Sequence, residues 1–475
     1  MADFDALIVG AGPAGCATAA ALSELGFRIL VVDAGVDSSK QLAGELIHPP
    51  GVADLSSLGF ASFLQGAGAQ PVKGFAVVDG CDGGRRSLLP YQDGEGIALE
   101  HCLLRRSLME GLKARPGIAV RQRARISQIL ENQRHGVEAT VRQDGAVEEK
   151  IRARILVAAD GRGSHARGLL RIGEARERLS SMLGVMVDAA HLPHASHGHL
   201  FIGGPAPVLA YAITPTKARI MVDLPSGSGP AQLLQSPQLL SALPAGLRDA
   251  VIEASRSGQV LMAANETRLP ASVAVQSAVL VGDAAGCCHP LSASGLSSCT
   301  RDARVLQEAL ERYPDDVPAA LQLYAVKRRA PQRTRIALAS ALYRTFSQQT
   351  PEMAALRSGM FRYWARTRAG RDVSMALLST RELRMWIMAR EYARAVLHSL
   401  IAMASHGSGS SRGSFRTALR LVRSAFPHLR GALAGVLENW RGALARLLSR
   451  ASRPSKSHDS RAGDLDPSRA PLSRS

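Results

Sequence analysis

Residues 5–33, DALIVGAGPAGCATAAALSELGFRILVVD, hold a short apolar run, a glycine-rich turn, an alanine-rich stretch and a second apolar run closed by an aspartate. Asp5 to Val9 and Arg28 to Val32 have the length of buried strands, and Pro13 to Gly26 carries Ala and Leu at helical density. The unit therefore reads strand, helix, strand. Its turn, Gly10-Ala11-Gly12-Pro13-Ala14-Gly15, matches GxGxxG. Gly10 permits the tight bend, Gly12 lets a pyrophosphate approach the backbone, and Gly15 allows close helix–strand packing. The helix N-terminus supplies orphan N–H groups and the positive dipole end for phosphates. The pattern alone also suits a merely structural turn. Asp33, 18 residues beyond Gly15, tips the reading to a dinucleotide, because a carboxylate there accepts ribose hydroxyls.

The surrounding chain has 475 residues, 46% hydrophobic and 21% charged, which excludes disorder as its main state and suits two or three domains. Lys plus Arg number 58 against 40 acids, for a formal charge of +18, and nearly all the bases are Arg. With no zinc-finger spacing or helix-turn-helix signature, nucleic acid is excluded as the expected partner and an anionic membrane surface is preferred. Six cysteines without a CxxC pair, and a first segment with acids and no long apolar run, point to a reducing, cytoplasmic compartment. No window is apolar enough to be a membrane span.

Val72 to Leu99 reads as short strands with turns, Cys102 to Arg115 as a helix, Val137 to Val147 as a hairpin strand, and Met182 to Leu224 as antiparallel strands. Two more buried runs end in Ala159-Asp160-Gly161 and Val281-Gly282-Asp283. From Ser297 the chain is helical with little interruption to His398, meets a linker-like stretch from His406 to Ser414, and resumes as a helix pair through Arg450 before an aperiodic tail. The expected fold is α/β. A Rossmann-like FAD-binding domain (1–72, 100–181 and 268–335) carries an inserted antiparallel-sheet substrate domain (73–99 and 182–267). A C-terminal helical region (336–451) and a disordered tail (452–475) follow.

The strand ends at Asp160 and Asp283 resemble the DG and GD motifs of FAD-dependent aromatic-hydroxylase-type monooxygenases. Within them, Gly44-Glu45-Leu46-Ile47-His48-Pro49-Pro50-Gly51 is similar to the GELLQPGG segment of the squalene monooxygenase family, and Gly282-Asp283-Ala284-Ala285 through His289-Pro290-Leu291-Ser292-Ala293-Ser294-Gly295-Leu296 to its GDA and HPLTGGGM segment. The likeness runs from Asp5 to about Leu433 and is loose in the last hundred residues. It implies FAD contacts at Gly10, Gly12, Gly15, Asp33, Asp160, Gly282 and Asp283. Arg105, with Arg106 as the competing register, would grip phosphate or ribityl oxygens. Pro290, Gly295 and Leu296 would lie beside the isoalloxazine. Glu45 either holds the loop over the ring or is a surface acid.

Two positions depart from the family: His48 replaces a Gln, and Phe75 replaces the Tyr that pairs with it. Both, with Pro290, are candidates for the flavin–substrate boundary. His48 reads as structural or substrate-positioning ahead of proton transfer. His191, His194, His197 and His199 in HLPHASHGH read as a turn, and no metal is expected. The resemblance implies transfer of one oxygen atom of O₂, by way of a flavin C4a-hydroperoxide, to an apolar isoprenoid or polyene, most simply as epoxidation. NADPH or a separate reductase would provide electrons. A flavin-dependent lipid reductase or desaturase, and a non-catalytic membrane-associated flavoprotein, are the competing readings. The Arg-bearing helices from Met385 to Leu448, including Arg416, Arg420, Arg423, Arg430, Arg441 and Arg446, suit peripheral seating on the cytoplasmic face of a membrane, or equally a dimer contact or helical lid.

Overall fold

The structure is a computed structural model that describes residues 2–35, 42–80, 83–132, 136–143, 148–405, 416–421 and 423. The expected linker at 406–414, most of the helix pair beyond it, with Arg430, Arg441 and Arg446, and the tail lie outside the described residues.

The opening unit folds as its pattern dictates: strand Phe4–Val9, helix Pro13–Ser23 and strand Ile29–Asp33. Phe4–Val9 sits centrally in an eight-stranded sheet, parallel to Ile29–Asp33 on one side and Glu149–Ala158 on the other. Ala278–Leu280 extends the sheet in parallel beyond Glu149–Ala158, and Ile118–Gln122 beyond Ile29–Asp33. Strands buried on both faces read as unbroken apolar runs, which is why these segments were legible. One face is covered by helices Pro13–Ser23, His101–Lys113 and Gly295–Arg312. The hairpin of Ala124–Asn132 and Gly136–Gln143 packs on the other. Consequently the C-terminal ends of the strands that finish at Val9, Asp33, Ala158 and Leu280 all open on the same edge of the domain.

A second, seven-stranded sheet runs in the order Leu261–Pro270, Glu174–Asp188, Lys217–Pro225, Val208–Ala212, Gly198–Ile202, Gly74–Asp79, Arg85–Pro90. Glu174–Asp188 pairs with Leu261–Pro270 over residues 174–184 and with Lys217–Pro225 over 180–188. The second sheet therefore takes in residues 174–181 and 268–270, which the sequence reading placed in the first domain. One sheet face packs on helix Ala245–Arg256 and its neighbours. The other supplies a second core with Phe346, Phe361, Trp364 and Leu378 from the C-terminal helices. The helical stretch is five helices, Gly295–Arg312, Val317–Ser347, Pro351–Arg366, Arg368–Leu378 and Met385–Ser405. Pro351 begins the third of these, where a first-turn proline is tolerated.

Candidate functional site

The three glycines of the opening turn divide their work as the pattern requires. Gly10 has φ +98°, and a Cβ on it would lie 2.7 Å from the Ala159 carbonyl oxygen. A Cβ on Gly15 would fall 1.8 Å from the Gly10 oxygen, so strand and helix touch there. A Cβ on Gly12 would meet nothing within 4 Å, so the backbone at that residue faces open space. No side chain caps the helix that Gly12 begins, leaving its first N–H groups for a ligand.

Asp33 closes this end of the sheet. It is 7% exposed and accepts from the N–H groups of Ala11 (2.7 Å) and Gly35 (2.8 Å). Arg105 Nη2 lies 3.4 Å from both Asp33 oxygens, while Arg106 is exposed on the far side of the helix. Of the two, Arg105 is the one that reaches Asp33.

Asp160 and Asp283 occupy different situations. Both Asp160 oxygens are engaged within its own loop, by Ser164 Oγ (2.5 Å) and the Ala166 N–H (2.9 Å). This cap starts the short helix His165–Leu169, whose Arg167 donates to the Ala284 carbonyl at 2.9 Å. The Asp160 carboxylate, an expected cofactor contact, positions the loop that fixes the Gly282–Ala285 turn. Asp283, by contrast, lines an open cavity, and its carboxylate has no hydrogen-bond or ion-pair partner among the described residues. Gly282 is needed for packing: at φ +59° its Cβ would lie 2.7 Å from Ala14 and 3.0 Å from Cys299 Sγ.

That cavity, of about 170 Å³, lies between the two sheets and is lined by Asp283, His289, Pro290, Gly295 and Leu296 from one side and by Met182, Leu209, Met221 and Ala263 from the other. Helix Gly295–Arg312 points its N-terminus into it, without a side-chain cap. Gly295 has open space where a Cβ would stand, whereas Gly44 is pressed on Leu296 and Gly51 on Ser297. The 44–51 segment is therefore clamped to the first turn of that helix.

Glu45 is not a surface acid. It is 2% exposed and makes a bidentate pair with Arg219, at 2.9 to 3.3 Å, with the Tyr211 hydroxyl 3.4 Å away. Burial pushes the Glu45 carboxyl up and the Arg219 guanidinium opposes it. The pair ties the loop from the first domain to the second sheet. Arg219 and Tyr211 carry no spacing signal, because only strand pairing brings Lys217–Pro225 beneath the loop.

His48 is completely buried. Its Nε2 donates to the Ser292 carbonyl (2.9 Å) and its Nδ1 accepts from the Tyr91 hydroxyl (2.6 Å). A carbonyl can only accept, so the neutral tautomer is set. Burial lowers the imidazole pKa to about 4. Phe75 packs 5.9 Å from the His48 ring. The hydroxyl expected from position 75 thus comes from Tyr91, which the sequence reading missed, and both nitrogens of His48 are committed to positioning. A second buried group stands on the other side of the loop. The His289 Nδ1 accepts from the Leu291 N–H (3.3 Å), leaving Nε2 to face Asp223 (3.2 Å) and Ser180 (3.1 Å), with Tyr343 stacked on the ring. Asn265 joins Ser180 to Asp223. Two histidines therefore pin the loop around Pro290 to opposite neighbours.

Of the histidines flagged in sequence, His199 is buried on its strand, its Nε2 accepts from the His194 N–H, and the His197 Nδ1 donates to the Ala195 carbonyl. Beside the flavin-side cavity lies an apolar chamber of about 100 Å³, lined by Val77, Leu89 and Leu200 of the second sheet and roofed by residues of the C-terminal helices such as Phe346, Met360 and Trp364.

The comparisons agree with this architecture. A family model described as NAD(P)-binding Rossmann-like domain matches residues 8–49. Solved structures that share the fold include PqsL of P. aeruginosa, bound to 2-aminobenzoylacetate (TM-score 0.63, 22% identity, 73% of this chain and 97% of that one). Another is p-nitrophenol 4-monooxygenase PnpA of Pseudomonas putida (TM-score 0.65, 19% identity, 82% and 98%). Mouse squalene monooxygenase is 28% identical over 77% of this chain and 66% of its own length. Squalene epoxidase erg1 of Schizosaccharomyces pombe is 26% identical over 77% and 83%. The match thus spans just under two thirds of the mouse relative. A family model described as squalene epoxidase matches residues 152–409, more than half of the chain, and the chain belongs to the squalene epoxidase family.

Proposed function

We propose that this protein is an FAD-dependent monooxygenase that places one oxygen atom of O₂ on an apolar isoprenoid or polyene, by epoxidation. The observation that carries the substrate class is a transverse row on the second sheet. Met221 is paired with Leu209, Leu209 with Leu200, and Leu200 with Val77. Met221 and Leu209 line the flavin-side cavity, while Leu200 and Val77 line the apolar chamber. Neighbouring strands stand about 4.8 Å apart, so the row makes a hydrocarbon floor about 14 Å long. An extended apolar chain laid across it reaches from one cavity into the other.

The residues fit the cofactor. Gly12 and the uncapped helix after it would receive the pyrophosphate, Asp33 the adenosine ribose with Arg105 beside it, and Asp283 the ribityl chain. The uncapped N-terminus of Gly295–Arg312 opens into the same cavity, where its positive end would stabilise negative charge on the bound cofactor. FAD, when bound and reduced, supplies the two electrons that let one atom of O₂ join the substrate while the other leaves as water. NADPH, through a separate reductase, is the electron source. The chain's contribution is placement and exclusion of water. Met182, Leu209 and Met221 keep the cavity dry, and His48 and His289 hold the Pro290 loop. Neutral His48, with both nitrogens occupied, transfers no proton.

We also assign a peripheral membrane seat. None of the described helices is long and apolar enough to cross a bilayer. Helix Met385–Ser405 nevertheless exposes Trp386, Leu397 and Ile401, and Arg384 and Arg390 stack over the Trp386 ring at 5.5 and 5.4 Å. Its inner residues Met388 and Ala395 roof the apolar chamber, which gives a lipid substrate a short route inward. The test is to incubate purified protein with FAD, NADPH, a reductase and squalene or another polyene. Oxygen uptake with a product heavier by one oxygen atom is expected. Protein that stays colourless with excess FAD would overturn the assignment.

A further inference from the structure

Behind the flavin-side cavity, and sharing with it only Arg335, is a small pocket between helices Gly295–Arg312 and Val317–Ser347 and the turn that follows Arg368–Leu378. We propose that it binds a halide ion. Its volume of about 20 Å³ admits one water-sized occupant. Arg301, Lys327, Arg328 and Arg335 line it, against a single carboxylate, Asp302. Lys327 is matched by Glu308 at 2.7 Å and Arg328 by Asp302 at 3.0 Å. Among the described residues, no carboxylate lies within ion-pairing distance of Arg301 or Arg335.

Three donors at this pocket have no partner: Arg328 Nη2, Arg335 Nε and Thr380 Oγ1. Their residues are 6%, 6% and 2% exposed. A buried donor left unpaired is costly, and more so on a charged group. Thr380 stands just past the C-terminal cap of helix Arg368–Leu378. It is β-branched yet held at φ +63°, a conformation such residues avoid unless their surroundings impose it. Here Arg301 Nη2 grips its carbonyl at 2.7 Å, and its side chain lines the pocket.

The donor set selects the ligand. A halide accepts from all three donors at once, and its charge offsets the two guanidinium groups that lack a carboxylate. Water would have to turn its own protons toward acceptors, and the nearest carboxylate, Asp302, already receives Arg328 and the Gly282 N–H. The halide holds together two long helices and the Thr380 turn, with Arg335 as its link to the flavin side.

The test uses the full-length, FAD-loaded protein at constant ionic strength. Chloride and bromide raise the thermal unfolding midpoint along a saturating curve, whereas gluconate, too large for the pocket, does not. Crystals soaked in bromide show an anomalous peak among Arg328, Arg335 and Thr380. Thr380→Val weakens halide affinity at least tenfold, and Thr380→Ser, which keeps the hydroxyl, retains it. Equal midpoints in chloride and gluconate, or no bromide peak in this pocket, overturn the proposal. Both of these arms need only the unsubstituted protein, so a variant that fails to fold does not protect it.

Discussion

Replacing His48 with glutamine tests the bridge from Tyr91 to Ser292 through its proton. In the folded protein burial lowers the imidazole pKa to about 4, against 6.5 for a free histidine. Between these values the unfolded chain binds a proton that the folded chain refuses. The sign follows: stability is unaffected well above the unfolded pKa, falls as pH drops from 6.5 toward 4, and levels off below the folded pKa. From about pH 7 to about pH 4.5, this single group removes about 2–3 kcal/mol. Glutamine offers a donor to Ser292 and an acceptor to Tyr91 but does not titrate. The assay is urea unfolding of both proteins across this range. The difference between their curves cancels groups they share, including His199, whose pKa burial lowers to about 3. The unsubstituted protein is expected to lose about 2–3 kcal/mol more than His48→Gln on acidification. Parallel curves would refute a neutral, bridging imidazole.

Gly12→Ala and Gly15→Ala are expected to separate binding from folding: the first leaves unfolding within about 1 kcal/mol of the original while weakening FAD affinity at least tenfold by flavin fluorescence, and the second, with its Cβ 1.8 Å from the Gly10 oxygen, abolishes a cooperative transition. Glu45→Gln strands Arg219 without a countercharge and costs about 3–5 kcal/mol in urea unfolding, whereas the double replacement Glu45→Leu, Arg219→Met recovers most of that loss. An unchanged midpoint in Glu45→Gln would mean the pair is not formed. Leu200→Trp, placed where the two cavities meet, is expected to raise KM for a long polyene at least tenfold and leave FAD affinity unaltered. Equal KM values would remove the transverse row as the substrate's path.

Legibility in the sequence tracked how locally each constraint acts. Gly10, Gly15 and Asp33 answer to backbone sterics and to a strand end within one βαβ unit, so their spacing announces them. The parallel strands, buried on both faces, announce themselves as apolar runs. Glu174–Asp188 was divided in the wrong place because its first residues are charged and exposed, and only its ladder with Leu261–Pro270 assigns them to the second sheet. Asp160 shows a different limit. The motif identifies an aspartate at a strand end, but what its carboxylate meets is decided by Ser164 and Ala166 after the turn closes. Arg219, Asp223 and Asn265 are invisible for the same reason at longer range, since their partners lie 174, 66 and 85 residues away in Glu45, His289 and Ser180.

Tyr91 makes the point most sharply. Position by position, the replacement of Tyr by Phe75 removes a hydroxyl from the flavin–substrate boundary and leaves His48 with an apolar neighbour. The register of the second sheet restores it. Gly74 pairs with Pro90 and Phe75 with Leu89, so the residue after Pro90 emerges beside the start of the same strand, and the Tyr91 N–H continues the ladder to the Lys73 carbonyl. The hydroxyl has moved across one strand spacing, about 4.8 Å, while its hydrogen bond is kept. Imidazole suits the new donor direction: Nδ1 takes Tyr91, and Nε2 stays free to hold the Ser292 carbonyl of the loop around Pro290. The two departures from the family are thus one coupled change, which predicts that Tyr91→Phe and His48→Leu are less than additive in urea unfolding, because either alone breaks the bond they share.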